Sequence, residues 1–303
     1  VAALDTDTLA ALAGYARSAD TTATLVGSQR CEDYVVEDLR IASGDAEAVP
    51  VTLTRPPDAD TPRPAVLYCH AHGKRHDIGR KELLDGRPAL AAPPYGPLLA
   101  QCGYVTLCLE MAPFGARATT SEESLSKALL WHGRTLFGAM LSELSMGVDV
   151  LSQRADVDAG RIATLGLSMG GTHAYWLAAL DPRVCAAAHL CCFASLGALV
   201  ESGAHDLHGP YMTVPGLLRH GDMGDVADLV APRPQLIGVG LEDALSPEPA
   251  FVAAHDQVRA AYRAAGAEDR LTTVIETASG HQETDAMRRA VLSFLYQWVA
   301  GMG

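Results

Sequence analysis

The stretch Arg161–Trp176, "RIATLGLSMGGTHAYW", places one serine between glycines, after an apolar run and before a helix-like one. A buried apolar strand has no use for a serine. A sharp turn that must present a hydroxyl does. Gly166-Leu167-Ser168-Met169-Gly170 fits G-x-S-x-G between a strand, "RIATLGL", and a helix, "MGGTHAYWLAAL". The glycines permit the turn and let strand and helix approach closely. Ser168 then sits at the helix N-terminus, where free N–H groups and the helix dipole favour a developing negative charge.

Working outward, short apolar strands alternate with helix-length patterns. "TPRPAVLYCH", "YVTLCLE", "RIATLGLS", "RPQLIGVG" and "LTTVIETAS" read as buried strands. "PPYGPLLAQCG", "SLSKALLWHGRTLFGAMLSELSMGVDVLSQR", "SPEPAFVAAHDQVRAAYRAAGA" and "TDAMRRAVLSFLYQWVAGM" read as helical segments between and after them. Such alternation implies an α/β fold, a mostly parallel central sheet with helices on both faces. "YVVEDLRIAS" and "AVPVTLTRP" alternate and end in turn signals, as antiparallel strands do. Residues 1–40 begin with Leu4, Leu9, Leu12 and Tyr15 at mixed three- and four-residue steps, and are expected to form an N-terminal helical segment. The stretch 193–234 is rich in Gly, His and Pro and breaks the alternation; it is expected to be a cap-like insertion over the end of the sheet where ligands bind. With no repeat or long linker, residues 1–303 read as one domain.

A serine hydroxyl needs a base. In a strand–serine–helix architecture the chain order is Ser, acid, His. "LIGVGLEDALSP" sets Glu242 and Asp243 just past a strand, and "TASGHQETDA" sets His281 just past the next one. Asp243 is the chosen acid, with Glu242 as its alternative. The expected chemistry has His281 take the Ser168 proton while Asp243 holds the imidazole tautomer. Two backbone donors are expected to hold the oxyanion: the N–H of Met169 and that of Lys74, in the loop "HAHGKR" after "PAVLYC". His72, beside Lys74, and His205, His208 and Tyr211, within "HDLHGPYMTVP", are candidates for the substrate pocket. His70, His72, His76 and Asp77 resemble a metal-ligand run but lack a fixed spacing, so neither a metal nor another cofactor is expected.

These residues support a family resemblance. The chain resembles the α/β-hydrolase superfamily, and within it the dienelactone-hydrolase-like and acetyl-xylan-esterase-like group. The elbow, "YGPLLAQCGYVTLCLEMAPFGAR", "LSQRADVDAGRIATLGLSMGG", the segment carrying Asp243 and "SGHQET" are all similar to that group, from about Pro64 to the end. The resemblance implies Ser168, Asp243 and His281 as the triad of a serine carboxylesterase. Dienelactone hydrolases use a cysteine nucleophile; serine here favours ordinary ester hydrolysis. An acyltransferase, a small serine peptidase or a non-catalytic binding protein on the same fold remain alternatives.

The net charge of −13 argues against a nucleic-acid surface. No apolar run is long enough to span a membrane. Seven cysteines, an odd number with no CxxC, read as buried thiols in a reducing compartment, so a cytoplasmic location is expected. A small-molecule ester, small or medium in size, is the expected partner, and the N-terminal and final helices permit a homodimer.

Overall fold

The computed structural model describes residues 4–44, 47–58 and 61–301. In chain order the elements are α1 (Thr6–Ala13), β1 (Thr21–Arg30), β2 (Val35–Ser43), β3 (Val49–Arg55), β4 (Arg63–Cys69), α2 (Glu82–Asp85), α3 (Tyr95–Gln101), β5 (Val105–Leu109), α4 (Glu122–Trp131), α5 (Leu136–Gln153), β6 (Val157–Leu167), α6 (Met169–Leu180), β7 (Val184–Leu190), α7 (Leu196–Ser202), α8 (Met223–Asp228), β8 (Gln235–Gly240), α9 (Glu248–Ala264), β9 (Leu271–Glu276) and α10 (Asp285–Leu295). The nine strands form one sheet in the order β1-β2-β3-β5-β4-β6-β7-β8-β9. Pairing is antiparallel from β1 through β3 to β5, and parallel from β5 through β4 to β9.

Side-chain alternation along the strands divides the core between the two faces. On β4, Ala65, Leu67 and Cys69 point into one apolar cluster with α5, α6 and α9. Val66 and Tyr68 point into the other with α3 and α10. Helix α6 is buried along its whole length, as its lack of any charged residue permits; its polar Thr172 and His173 bond back to the Ser168 and Met169 carbonyls.

The structure corrects the N-terminal expectation. Only Thr6–Ala13 is helical, closed by Gly14 at φ +68; Thr21–Arg30 is an edge strand whose residues after Thr21 are mostly exposed. Its β-branched residues and its pairing with β2 outweigh the weak helical spacing. Residues 1–3 of that expectation lie outside the described residues. The 124–154 pattern is two helices rather than one, interrupted at Gly133 (φ +70) and restarted by Thr135, whose side chain caps α5. All seven cysteines are free thiols, but Cys102 is exposed and Cys31, Cys185 and Cys192 are only partly buried. No helix among the described residues is long and apolar enough to cross a membrane.

Candidate active site

Ser168 occupies the turn from β6 into α6 at φ +58 and ψ −127, a backbone conformation that L-residues rarely adopt. Its surroundings leave no alternative. A Cβ on Gly170 would lie 1.9 Å from the Cys69 carbonyl oxygen, and one on Gly166 would lie 2.3 Å from the Gly170 backbone. The glycines therefore let α6 press against the ends of β4 and β6. The Ser168 N–H donates to the Leu190 carbonyl at 2.8 Å, tying the turn to β7.

Asp243 and His281 arrive on the loops after β8 and β9. Gly240 allows these loops to meet, since a Cβ there would lie 2.3 Å from the Ser279 carbonyl oxygen. His281 Nε2 is 2.9 Å from Ser168 Oγ, and His281 Nδ1 is 2.7 Å from Asp243 Oδ2. Asp243 Oδ1 accepts the Leu245 N–H at 2.9 Å, which fixes the carboxylate plane. Asp243 is buried and Glu242 exposed, so geometry separates the two acids that sequence left open.

The loop after β4 is held by buried carboxylates. Glu82 accepts Tyr68 O–H at 2.6 Å and the Ala71 N–H at 3.1 Å, and pairs with Arg87. Arg87 in turn donates to the Ala71 carbonyl at 2.7 Å. Glu110 accepts the Arg80 N–H at 2.7 Å and the Ala116 N–H at 3.2 Å, joining this loop to the one after β5.

Met169 is the first residue of α6, so its N–H has no partner within the helix. Lys74 departs from expectation. It sits at φ +54, and its N–H donates to His72 Nδ1 at 2.9 Å rather than standing free. His72 Nε2 lies 2.5 Å from Glu122 Oε2.

Ser168 and His281 open onto a cavity of about 540 Å³. His72, Lys74, His76, Glu122, His208 and Tyr211 are among its walls. His208, whose Nε2 hydrogen bonds the Leu245 carbonyl at 2.9 Å, and Tyr211 bring the 193–234 stretch to the wall of this cavity. His205 does not line this cavity; it lies half-exposed beside Asp206 and faces a neighbouring surface groove. Behind Ser168 is a second, far smaller recess of about 20 Å³, lined mainly by apolar groups including Cys191, Ala194, Leu199, Met212 and Met223. Burial pushes the Cys191 thiol up to about 12, so it is not a thiolate nucleophile beside the serine.

The metal-like run from the sequence is split. His70 is buried, accepts the Met111 N–H at 3.2 Å, and is pushed down to about 3 by burial. Asp77 pairs with Arg75 on the surface. His72 and His76 instead meet Glu122, a residue that the sequence reading did not single out. Its only sequence signal is as the first residue of α4 after the Ser121 cap, which says nothing of a pocket. Of the basic residues Lys74, Arg75, Arg80 and Lys81 in this loop, Arg75 is taken by Asp77 and Arg80 by Asp38 and Glu110, and only Lys74 lines the cavity.

No family model matches the chain. It is 34% identical over 268 residues to a Bacillus subtilis (strain 168) protein named "Putative hydrolase YtaP", covering 88% of this chain and 89% of that protein. Among solved structures, acetyl xylan esterase 1 from Thermoanaerobacterium sp. JW/SL YS485 superposes with a TM-score of 0.68 at 16% identity, over 98% of this chain and 94% of that one. A glucuronoyl esterase from Solibacter usitatus does so with a TM-score of 0.68 at 18% identity, over 93% and 87%. At these identities the two esterase structures speak for the fold.

Proposed function

The chain belongs to the same α/β-hydrolase family as the Bacillus subtilis protein, and from that premise we propose that it is a serine carboxylesterase of short-chain esters. The observation that carries the proposal is the hydrogen-bonded relay Ser168–His281–Asp243, at 2.9 and 2.7 Å, whose first two members line the cavity while Asp243 is buried behind His281. In this reading His281 Nε2 takes the Ser168 proton as Oγ attacks the ester carbonyl. Asp243 keeps the hydrogen on Nδ1 and stabilises the imidazolium. His281 then gives the proton to the departing alcohol, and in the second half-reaction takes one from water to cleave the acyl-enzyme. The Met169 N–H is the first oxyanion donor. The Lys74 N–H is the second, turning from His72 Nδ1 to the oxyanion as the tetrahedral intermediate forms; such a donor lowers the barrier by roughly 3 kcal/mol.

Size and polarity of the two spaces assign the two halves of the ester. About 10–15 Å³ of such space holds one water. The 20 Å³ recess behind Ser168 therefore suits a methyl, and an acetyl group fits it best. The larger cavity, with its histidines, Glu122 and Lys74, suits a polar alcohol such as a sugar hydroxyl. Acetyl xylan and glucuronoyl esterases share the fold, and the acetyl group agrees with the former. Residues 1–303 act as one domain in this reading, with 193–234 shaping the site.

The test is hydrolysis of p-nitrophenyl acetate, butyrate and octanoate by wild type and Ser168→Ala. Overpacking the recess costs about 1–3 kcal/mol, so kcat/KM for octanoate should fall roughly 10–100-fold below that for acetate. Ser168→Ala should be inactive on all three. Equal rates along the series would remove the acyl assignment, and an active Ser168→Ala would remove the mechanism.

A further inference from the structure

Among the described residues, buried carboxylates are matched to arginines with one kind of exception. Glu37 pairs with Arg55 and Arg154, Glu82 with Arg87, Glu110 with Arg80, Asp149 and Asp181 with Arg183, and Glu283 with Arg288. Asp243 faces a histidine instead, which the proposed reaction uses. Glu122 is the other exception: it is 4% exposed, and the basic side chains nearest it are the imidazoles of His72 at 2.5 Å and His76 at 3.9 Å. A buried carboxylate without a fixed positive charge is costly.

We propose that His72, His76 and Glu122 form a binding site for a divalent cation of the zinc type, open to the cavity that contains Ser168. Their candidate ligand atoms all lie within 4.8 Å of one another. His76 Nδ1 is 3.1 Å from the Pro113 carbonyl oxygen. A carbonyl only accepts, so Nδ1 carries the ring hydrogen and the Nε2 lone pair is left toward Glu122. This is the support that metal-bound histidines ordinarily receive. Glu122 Oε1 is occupied by the Tyr211 N–H at 2.9 Å, which leaves Oε2 between the two imidazoles. Phe114 backs both rings, with centroids 4.7 Å from His76 and 5.2 Å from His72.

Two imidazoles and one carboxylate select zinc, cobalt, nickel or copper over calcium and magnesium. Three protein ligands leave a fourth tetrahedral position for water or a substrate oxygen, as in open zinc sites. The cation takes the place of the hydrogen between His72 Nε2 and Glu122. For ligands at roughly 2.0 Å in tetrahedral geometry that 2.5 Å contact widens to about 3.3 Å. The His72 ring hydrogen moves to Nδ1, and the Lys74 N–H loses the acceptor it now has. On the reading of Lys74 proposed above, an occupied site thereby releases that amide toward the oxyanion.

The test is calorimetric titration of chelator-treated, dialysed protein with Zn²⁺ alone, in wild type, Ser168→Ala, His76→Ala, Glu122→Gln and His208→Ala. The expected result is one Zn²⁺ per chain in wild type, Ser168→Ala and His208→Ala. His76→Ala and Glu122→Gln should each weaken binding at least about 10–100-fold, the loss that even indirect supports of a metal bring. His76 is half-exposed, so its alanine variant keeps the test sound if the buried Glu122→Gln fails to fold. Absence of binding in wild type, or binding that survives His76→Ala unchanged, would overturn the site. Ser168→Ala separates this outcome from the esterase reading, because its zinc titration is independent of turnover.

Discussion

Individual residues carry the site through single contacts. Each glycine of the elbow has one backbone to make room for, which is why the motif could be read without coordinates: Gly170 faces the Cys69 carbonyl and Gly166 faces Gly170 itself. Asp243 is equally constrained, with Leu245 N–H on Oδ1 and His281 Nδ1 on Oδ2. Asn at 243 keeps its carbonyl oxygen toward Leu245, so its NH₂ faces His281 Nδ1. The imidazole must then carry its hydrogen on Nε2, where it cannot take the serine proton. Asp243→Asn is expected to lower kcat by about 10⁴-fold with little change in melting temperature; steady-state kinetics beside calorimetry check it, and an undiminished kcat would contradict the assigned role. The positions of Ser168, Asp243 and His281 were legible because chain order and strand ends constrain them. The hydrogen bond from Lys74 N–H to His72 was not, because it depends on how a side chain two residues away folds back. Glu122 was equally hidden: its partners lie on a loop some fifty residues earlier.

At the scale of elements, legibility followed packing. Strands β4, β5, β8 and the second half of β6, from Ile162, are buried on both faces and announce themselves by apolar runs. Strand β7, "VCAAAHL", is just as buried but alanine-rich, so its neighbours rather than its propensity make it a strand. Within the 193–234 stretch, Asp222 joins two short helices, capping α8 while accepting the Ser195 hydroxyl at 2.7 Å and the Leu196 N–H at 2.7 Å at the start of α7. Such a stretch has no periodicity to read. Asp228, in the last turn of α8, has a buried Oδ1 with no partner, and burial together with nearby Asp225 pushes its carboxyl up to about 7. The folded state therefore holds the proton more tightly than the unfolded chain. That contribution to stability is fully present below about pH 4 and is lost as pH rises through 7. Asp228→Asn keeps the neutral form at every pH. Allowing for screening of a partly exposed group, it should be about 1–2 kcal/mol more stable than wild type at pH 8 and nearly equal near pH 4. Urea unfolding at the two pH values measures this, and a variant less stable than wild type at pH 8 would contradict it.

Across the whole molecule, the sheet brings three distant segments to one end: the turn after β6, and the loops after β8 and β9. Parallel neighbours in the order β6-β7-β8-β9 place all three on the same edge of the sheet, which is where open α/β sheets bind ligands. The alternation of strands and helices revealed this much of the fold in advance. What it could not reveal was the edge strand β1, whose exposed residues follow no buried face; β2 and β3 beside it alternate and were legible as antiparallel strands. The size of the recess behind Ser168 was likewise hidden, since residues from six separate stretches of chain define it. The central claim is that this convergence makes Ser168 a nucleophile. Intact-protein mass spectrometry after treatment with a fluorophosphonate tests it most directly. The account predicts one adduct per chain, mapped to the peptide containing Ser168, absent in Ser168→Ala and strongly slowed in His281→Ala. An adduct on any other residue, or an unmodified wild type, would contradict it.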